Sequence, residues 1–325
     1  MLLALLLSGC QADTESDPRQ RTFVAMGTLV TIDIQEATDT QAETAFDQIE
    51  ALLLSLQNDW HGFGDGELAR VNAALAKGQS VQTNPELSAL ISRSLRYRNL
   101  SDGLFDPVIG ELVELWGFDN DVQGIRPPTE AALEQWRTRQ YRTLELYIDR
   151  NTLQPSAPLK LDLGGVAKGT ALSLAATLLL DLGIQHGLVE AGGDVQAIGS
   201  NAGRPWLIGI RDPRANKIMA TIELESGEAI VTSGDYERFF EHEGQRYHHL
   251  LDPSTGRPVS QTSSVTVIHR NAELADAAAT ALMVAGPERF KEISDRMGID
   301  TALLIDRQGG QLITPLMQQR LKVRP

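Results

Sequence analysis

Residues 28–34 (TLVTIDI) alternate β-branched with other residues and predict a strand. From residue 40 to about residue 56 the apolar positions fall at helical spacing, with Ala45, Ile49, Leu52, Leu53 and Leu56 on one side. Pro85 opens a second helix, running to about residue 100, because proline suits a first turn. Residues 129–139 read as a third, polar helix. Strands are expected at residues 144–148 and 159–163, with a turn at 149–151. Residues 166–182 are rich in Ala and Leu and predict a buried helix. Strands follow at 187–191, 206–211, 219–224, 229–233 and 264–269, and a last helical region covers 274–284 and 288–297. Residues 20–325 contain no repeat, low-complexity stretch or internal linker. The pattern predicts an α/β protein of the α+β type, a single mixed body with a largely antiparallel sheet and flanking helices.

The first ten residues, MLLALLLSGC, change the picture of where this body sits. The apolar run is too short to cross a bilayer but has the length of a signal-peptide core. It ends in Leu7-Ser8-Gly9-Cys10, similar to a bacterial lipobox, in which the cysteine is lipidated and becomes the new N-terminus. A buried N-terminal strand is the plainer alternative. Cys10 is the single cysteine, which suits an oxidising compartment. No Lys or Arg precedes the apolar run, which points to a start further upstream. We therefore expect a signal peptide over residues 1–10, a flexible polar tether over 11–20 and a catalytic domain over 21–325. The expected location is the cell envelope, lipid-anchored and facing the periplasm, at the inner rather than the outer membrane.

With 325 residues, 42% hydrophobic and 22% charged, the chain can bury a sizeable core. Its net charge of −14 argues against a nucleic-acid partner, which calls for clustered Lys and Arg. It does not argue against a phosphate-bearing small molecule, which needs only local donors or a metal ion.

Four segments carry candidate chemistry. Asp162-Leu163-Gly164-Gly165-Val166-Ala167-Lys168-Gly169 joins a predicted strand to a long apolar helix. Its glycines admit close backbone approach, and the helix N-terminus favours a phosphate. A tight turn with a surface lysine explains the same residues. The segment matches neither the dinucleotide-binding glycine motif nor the P-loop. Gly192-Gly193-Asp194 is read equally well as a hairpin turn. Thr232–Tyr236 is followed by His248-His249 and the turn-forming 252–256. Two adjacent histidines in a strand face opposite ways, so they do not share one metal ion. Asp276 and Thr280 lie one helical turn apart, and their oxygens suit a hard cation such as Mg2+. A helix-start Asp and a packed core Thr is the plainer reading of that pair.

In this order the segments resemble the ApbE family, the FAD:protein FMN transferases, together with Met26-Gly27-Thr28, Glu67–Asn72, Gly103–Pro107 and Leu115–Phe118. The resemblance implies an enzyme that splits FAD at its pyrophosphate, moves FMN onto a threonine hydroxyl of a target protein and releases AMP. It places Mg2+ ligands on Asp276, Thr280 and the carbonyl of Gly165. It places flavin contacts on Met26, Leu104, Phe105, Asp106, Asp162, Lys168 and the His248-His249 pair. Where the family often has a stacking tyrosine, this chain has 59–63 (DWHGF), which makes Trp60 the candidate ring and Phe63 the second choice. His61 is expected at the surface. His249 or Asp276 is the candidate proton acceptor. The implied acceptors are flavoprotein subunits of respiratory quinone-oxidoreductase complexes. Two other readings remain open: a Mg2+-dependent FAD pyrophosphatase giving FMN and AMP, and a flavin-binding lipoprotein without turnover.

Overall fold

The structure, a computed structural model, describes residues 19–119, 126–140 and 145–323. The lipobox and Cys10 lie outside the described residues.

Its frame is an antiparallel sheet of eight strands. In spatial order they are Arg19–Ala25, Thr28–Ile34, Gly187–Ala191, Asp194–Ile198, Ala229–Gly234, Thr262–His269, Ala302–Asp306 and Gln311–Ile313. The mixed, largely antiparallel body expected from the pattern is therefore present. Arg19–Ala25 begins inside the stretch read as tether.

One sheet face is covered by helices α1 (Asp39–Trp60), α6 (Gly164–Asp181) and α7 (Ala272–Met297), which share the main core with Val30, Ile32, Val189, Val231, Val265 and Val267. The other face is covered in part by a three-stranded sheet, Trp206–Arg211, Ile218–Leu224 and Lys322–Val323. This second core holds Val195, Ala197, Ile230, Ile268 and Leu303. Asp194–Ile198 lies between the two cores and is buried at every position. That is why DVQAI shows no alternation, and why no strand was expected there.

Helix starts follow local chemistry. Thr38 caps α1 in a reciprocal box with Gln41, whose N–H donates to Thr38 Oγ1 at 3.3 Å. Asn84 caps α3 (Pro85–Leu100), accepting from Leu87 N–H at 2.8 Å, with Pro85 in the first turn. Asn271 caps α7 in the same way at 3.0 Å. Gly286 (φ 62°) and Pro287 interrupt α7 between the two helical stretches expected there.

Two expectations change. Residues 159–163 form no strand, although Leu159, Leu161 and Leu163 are buried. The local hairpin is instead Leu146–Asp149 with Thr152–Pro155. Helix α2 (Glu67–Leu75) was not anticipated, whereas α5 (Glu130–Gln140) lies where the polar helix was expected. With α4 (Gly110–Leu115), α5 builds a third cluster around Trp116, Phe118 and Trp136. No helix among the described residues is long and apolar enough to cross a membrane.

Candidate active site

The site begins where residues 159–163 deliver the chain to α6. Asn72 serves that segment as a neighbouring strand would, donating from Nδ2 to Leu161 O and accepting Leu161 N–H on Oδ1, both at 2.8 Å. Asp162 N–H donates to Pro107 O at 2.8 Å, and Gly110 N–H to Lys160 O at 3.1 Å. The backbone groups expected to form a ladder are thus satisfied by a side-chain amide and a loop. Asp162 Oδ1 accepts from Gly164 N–H at 3.0 Å at the start of α6. Burial pushes its carboxyl above the ordinary range, opposed by that N–H, Arg238 and His61.

Helices α6 and α7 touch through glycine. A Cβ on Gly169 would lie 2.2 Å from Ala272 O and 2.9 Å from Asp276 Cβ, so only glycine lets the two backbones approach this closely. Gly169 N–H donates to Asp276 Oδ2 at 2.9 Å. One turn earlier, a Cβ on Gly165 would lie 3.1 Å from both Thr280 Oγ1 and Phe105 Cε2. The seam therefore gathers Gly165, Asp276, Thr280 and Phe105. Asp276 is 3% exposed, and burial raises its carboxyl pKa, opposed by Lys168 and reinforced by Asp194.

These residues fit a hard divalent cation. Thr280 Oγ1 and the Gly165 backbone are neighbours, and Asp276 supplies a carboxylate from the same helix. No group of three His, Cys, Asp or Glu side chains suited to a metal gathers among the described residues. A cation here would be held by one carboxylate, neutral oxygens and the phosphates of its substrate, which is how Mg2+ is commonly bound.

Beside the seam, Lys168 Nζ donates to Asp194 Oδ2 at 2.6 Å, and Asp194 Oδ1 accepts from Thr232 N–H at 2.8 Å. Burial works against the lysine's charge, but Asp194, Asp276 and Glu237 outweigh it and hold its pKa above the usual lysine value. Glu237 stands at the exposed rim. The enclosing cleft raises its carboxyl to about 7, against the pull of Lys168 and with the push of Asp194 and Asp276.

Another wall is the hairpin Phe239–His242 with Gln245–His248, and the two histidines at its end take different partners. His248 is 4% exposed; its Nε2 donates to Val259 O at 2.7 Å, and Nδ1 is left without a partner. His249 Nδ1 donates to Arg238 O at 3.1 Å, leaving Nε2 as the acceptor. Burial lowers its pKa to about 4, so it is neutral at neutral pH, and its ring stands edge-on to Phe118. Met26 occupies the two-residue turn joining Arg19–Ala25 to Thr28–Ile34, with φ 54°. Thr28 in turn abuts Gly192, so this tip borders the Gly192-Gly193-Asp194 loop.

Packing bears on two of the expected flavin contacts. Trp60 is 8% exposed within the main core, so its ring faces are occupied by neighbours. Phe63 is half-buried, edge-on to His61 at 6.1 Å. The carboxylate of Asp106 is committed to Arg98 at 3.1 Å and to Val108 N–H at 2.9 Å. Its part is to hold the loop that carries the half-buried Leu104 and the buried Phe105. Sequence reasoning missed Glu237, which follows the quoted Thr232–Tyr236 segment, and saw Asp194 only as part of a turn.

A family model described as the ApbE family matches residues 26–303. The FAD:protein FMN transferase of Rhodobacter capsulatus is 39% identical over 302 residues, covering 93% of this chain, which spans 58% of that protein's length. The Vibrio cholerae enzyme of the same name is 33% identical, with 94% and 92% of the two chains covered. Among solved structures, the ApbE protein of Thermotoga maritima has a TM-score of 0.86 at 31% identity, covering 95% of this chain and all of that one (100%). The flavinyl transferase ApbE of Pseudomonas stutzeri, in apo form, has a TM-score of 0.81 at 32% identity, with 94% and 96% covered.

Proposed function

The chain belongs to the ApbE family, and from that premise we propose that it transfers FMN from FAD to a threonine hydroxyl of a target flavoprotein, releasing AMP, with Mg2+ bound at the α6–α7 seam. The observation that carries this reading is the meeting of Gly165, Asp276 and Thr280 beside Lys168, where a pyrophosphate finds both cationic and N–H partners.

In the transfer, the acceptor hydroxyl oxygen bonds to the FMN-side phosphorus and the pyrophosphate bridge breaks. The bridging oxygen leaves with AMP, and the hydroxyl proton passes to His249 Nε2. The low proton affinity of His249 rises when an anionic substrate lies beside it. Lys168 and the start of α6 hold the pyrophosphate, and Phe63 and Met26 lie against the flavin. Asp276, Thr280 and the Gly165 carbonyl would hold Mg2+, which would supply charge neutralisation on the phosphates. Positioning and charge compensation are most of what such a reaction asks of a protein.

The test is incubation with FAD, Mg2+ and a candidate acceptor. A fluorescent acceptor marks transfer, AMP with free FMN marks pyrophosphatase activity, and intact FAD rules out both. Asp276→Ala should abolish turnover, and His249→Ala should lower it about 100-fold or more; wild-type turnover in the latter removes the histidine's role. The proposed acceptors are subunits of respiratory quinone-oxidoreductase complexes. Lipid on Cys10 would hold the enzyme on their side of the inner membrane and raise its local concentration. Loss of lipid labelling in Cys10→Ala checks the anchor.

A further inference from the structure

Glu273 lies in the first turn of α7, 5% exposed, and the chemistry above makes no use of it. It is nevertheless the most heavily engaged carboxylate near the seam. Arg93 donates to it from Nε at 2.7 Å and from Nη2 at 2.8 Å, a two-pronged contact from α3. The Tyr97 hydroxyl, one turn further along α3, donates to Oε1 at 2.8 Å. From α6, Thr170 Oγ1 lies 2.9 Å from Glu273 Oε2 and 2.7 Å from Val166 O, sharing one proton between them. Three helices meet at one carboxylate.

The position of this knot matters more than its strength. Thr170 directly follows Gly169, whose N–H holds Asp276 Oδ2 at 2.9 Å. Asp276 in turn follows Glu273 by three residues, on the same side of α7. Adjacent residues of α6 thus grip adjacent turns of α7. A slide or rotation of α7 along α6 breaks both contacts together. Thr280 sits one turn beyond Asp276 and owes its distance from Gly165 to the same register. A purely structural ion pair could stand anywhere along α7; this one stands one turn before the donor oxygens. Its buried negative charge also bears on Asp276.

We propose that Glu273, gripped by Arg93, Tyr97 and Thr170, is a positioning residue that sets how α7 presents Asp276 and Thr280 to Gly165 and thereby tunes this site's affinity for a hard divalent cation. The inference rests on the cation site of the functional reading above, not on which acceptor is used.

The test measures cation binding directly on the full chain, without and with FAD and in the absence of acceptor, by calorimetry with Mg2+ and by the spin-resonance signal of Mn2+. Glu273→Gln, Glu273→Asp, Arg93→Gln and Tyr97→Phe are compared with wild type, alongside thermal unfolding and steady-state kinetics. Outer partners of metal ligands typically contribute 10- to 100-fold in affinity, so Glu273→Gln should weaken binding by roughly that factor. Excess Mg2+ should restore kcat with the KM for FAD nearly unchanged, and Glu273→Asp should recover part of the loss. Tyr97→Phe, which removes one donor and no charge, should weaken binding by about 3-fold and keeps the test open if Glu273→Gln does not fold. Unchanged cation affinity in every folded variant, with only the melting temperature lowered, overturns the proposal. A wild-type chain that binds no divalent cation overturns it together with the metal assignment. Normal wild-type binding with unaffected variants overturns this inference alone.

Discussion

The α6–α7 seam and the Phe239–His248 hairpin both contribute to the site, and they are held in opposite ways. The seam is backbone against backbone, with Gly169 pressed on Ala272 and buried carboxylates tied to N–H groups and to α3. The hairpin is held by rings. Phe240 stacks on Tyr247 at 5.3 Å, both lean on Trp116, and Trp116 Nε1 donates to Gly256 O at 2.8 Å. Its cluster is separate from the main core and draws on α4 and α5. A contact fixed by backbone leaves no room for adjustment, whereas a stack of rings can shift while keeping its buried area. The seam is thus fixed by backbone contact, and the hairpin by side-chain packing.

The strongest way to break this contrast is Gly169→Ala. A methyl group 2.2 Å from a carbonyl oxygen forces α6 and α7 apart, so we expect a loss of more than about 3 kcal/mol in denaturant unfolding, or no folded protein. A loss under about 1 kcal/mol would show that the seam yields after all.

Acid should separate the two regions next. His248 is buried and His249 half-buried, and both have lowered pKa, the latter to about 4. In the unfolded chain they take up protons below about pH 6.5, which the native state resists, so stability falls as pH drops through that window toward 4. The expected loss is of order 1–3 kcal/mol and should shrink in His249→Gln, read from melting temperature against pH. Glu67, at the start of α2, responds in the same sense but in a lower window. Arg70, with Thr83 and Asn84, holds its carboxyl down to about 2. Its contribution is present above the unfolded value of 4.5 and is lost only as pH falls through about 2. A melting curve flat from pH 6.5 to 4.5 would remove the distinction.

The smallest effect sharpens the comparison most. Trp116→Phe removes the bond to Gly256 while keeping a ring, and should cost about 1 kcal/mol. Amide exchange should rise in residues 239–248 and stay unchanged in Thr262–His269 and α7. Uniform acceleration would mean that the hairpin and the seam open as one unit.

The sequence revealed these regions unequally. The seam was legible because its devices are local: glycines four apart in α6, and Asp276 and Thr280 one turn apart on α7. The aromatic wall was not legible, because Trp116, Phe118, Trp136, Phe240 and Tyr247 meet only through tertiary contacts. Residues 159–163 show why a correct pattern can mislead. Their alternation records burial of three leucines, while the expected ladder is replaced by the amide of Asn72. Asp194–Ile198 fails in the reverse direction, since a strand buried on both faces has no polar side to display. Glu273 carries no local sign at all, for its partners lie about a hundred residues or more away in α3 and α6.

Met26 carries a consequence for anyone engineering this chain. A two-residue turn with both φ angles positive favours Asn-Gly, and here a methionine holds the first place at φ 54°. An ordinary side chain in that conformation costs about 1–2 kcal/mol. A library screened only for heat tolerance would therefore drift toward Asn or Gly at this position early. Each such winner would be a sturdier protein without the thioether that the turn now carries beside the Gly192-Gly193-Asp194 loop, and ranking clones by melting point alone would select against it.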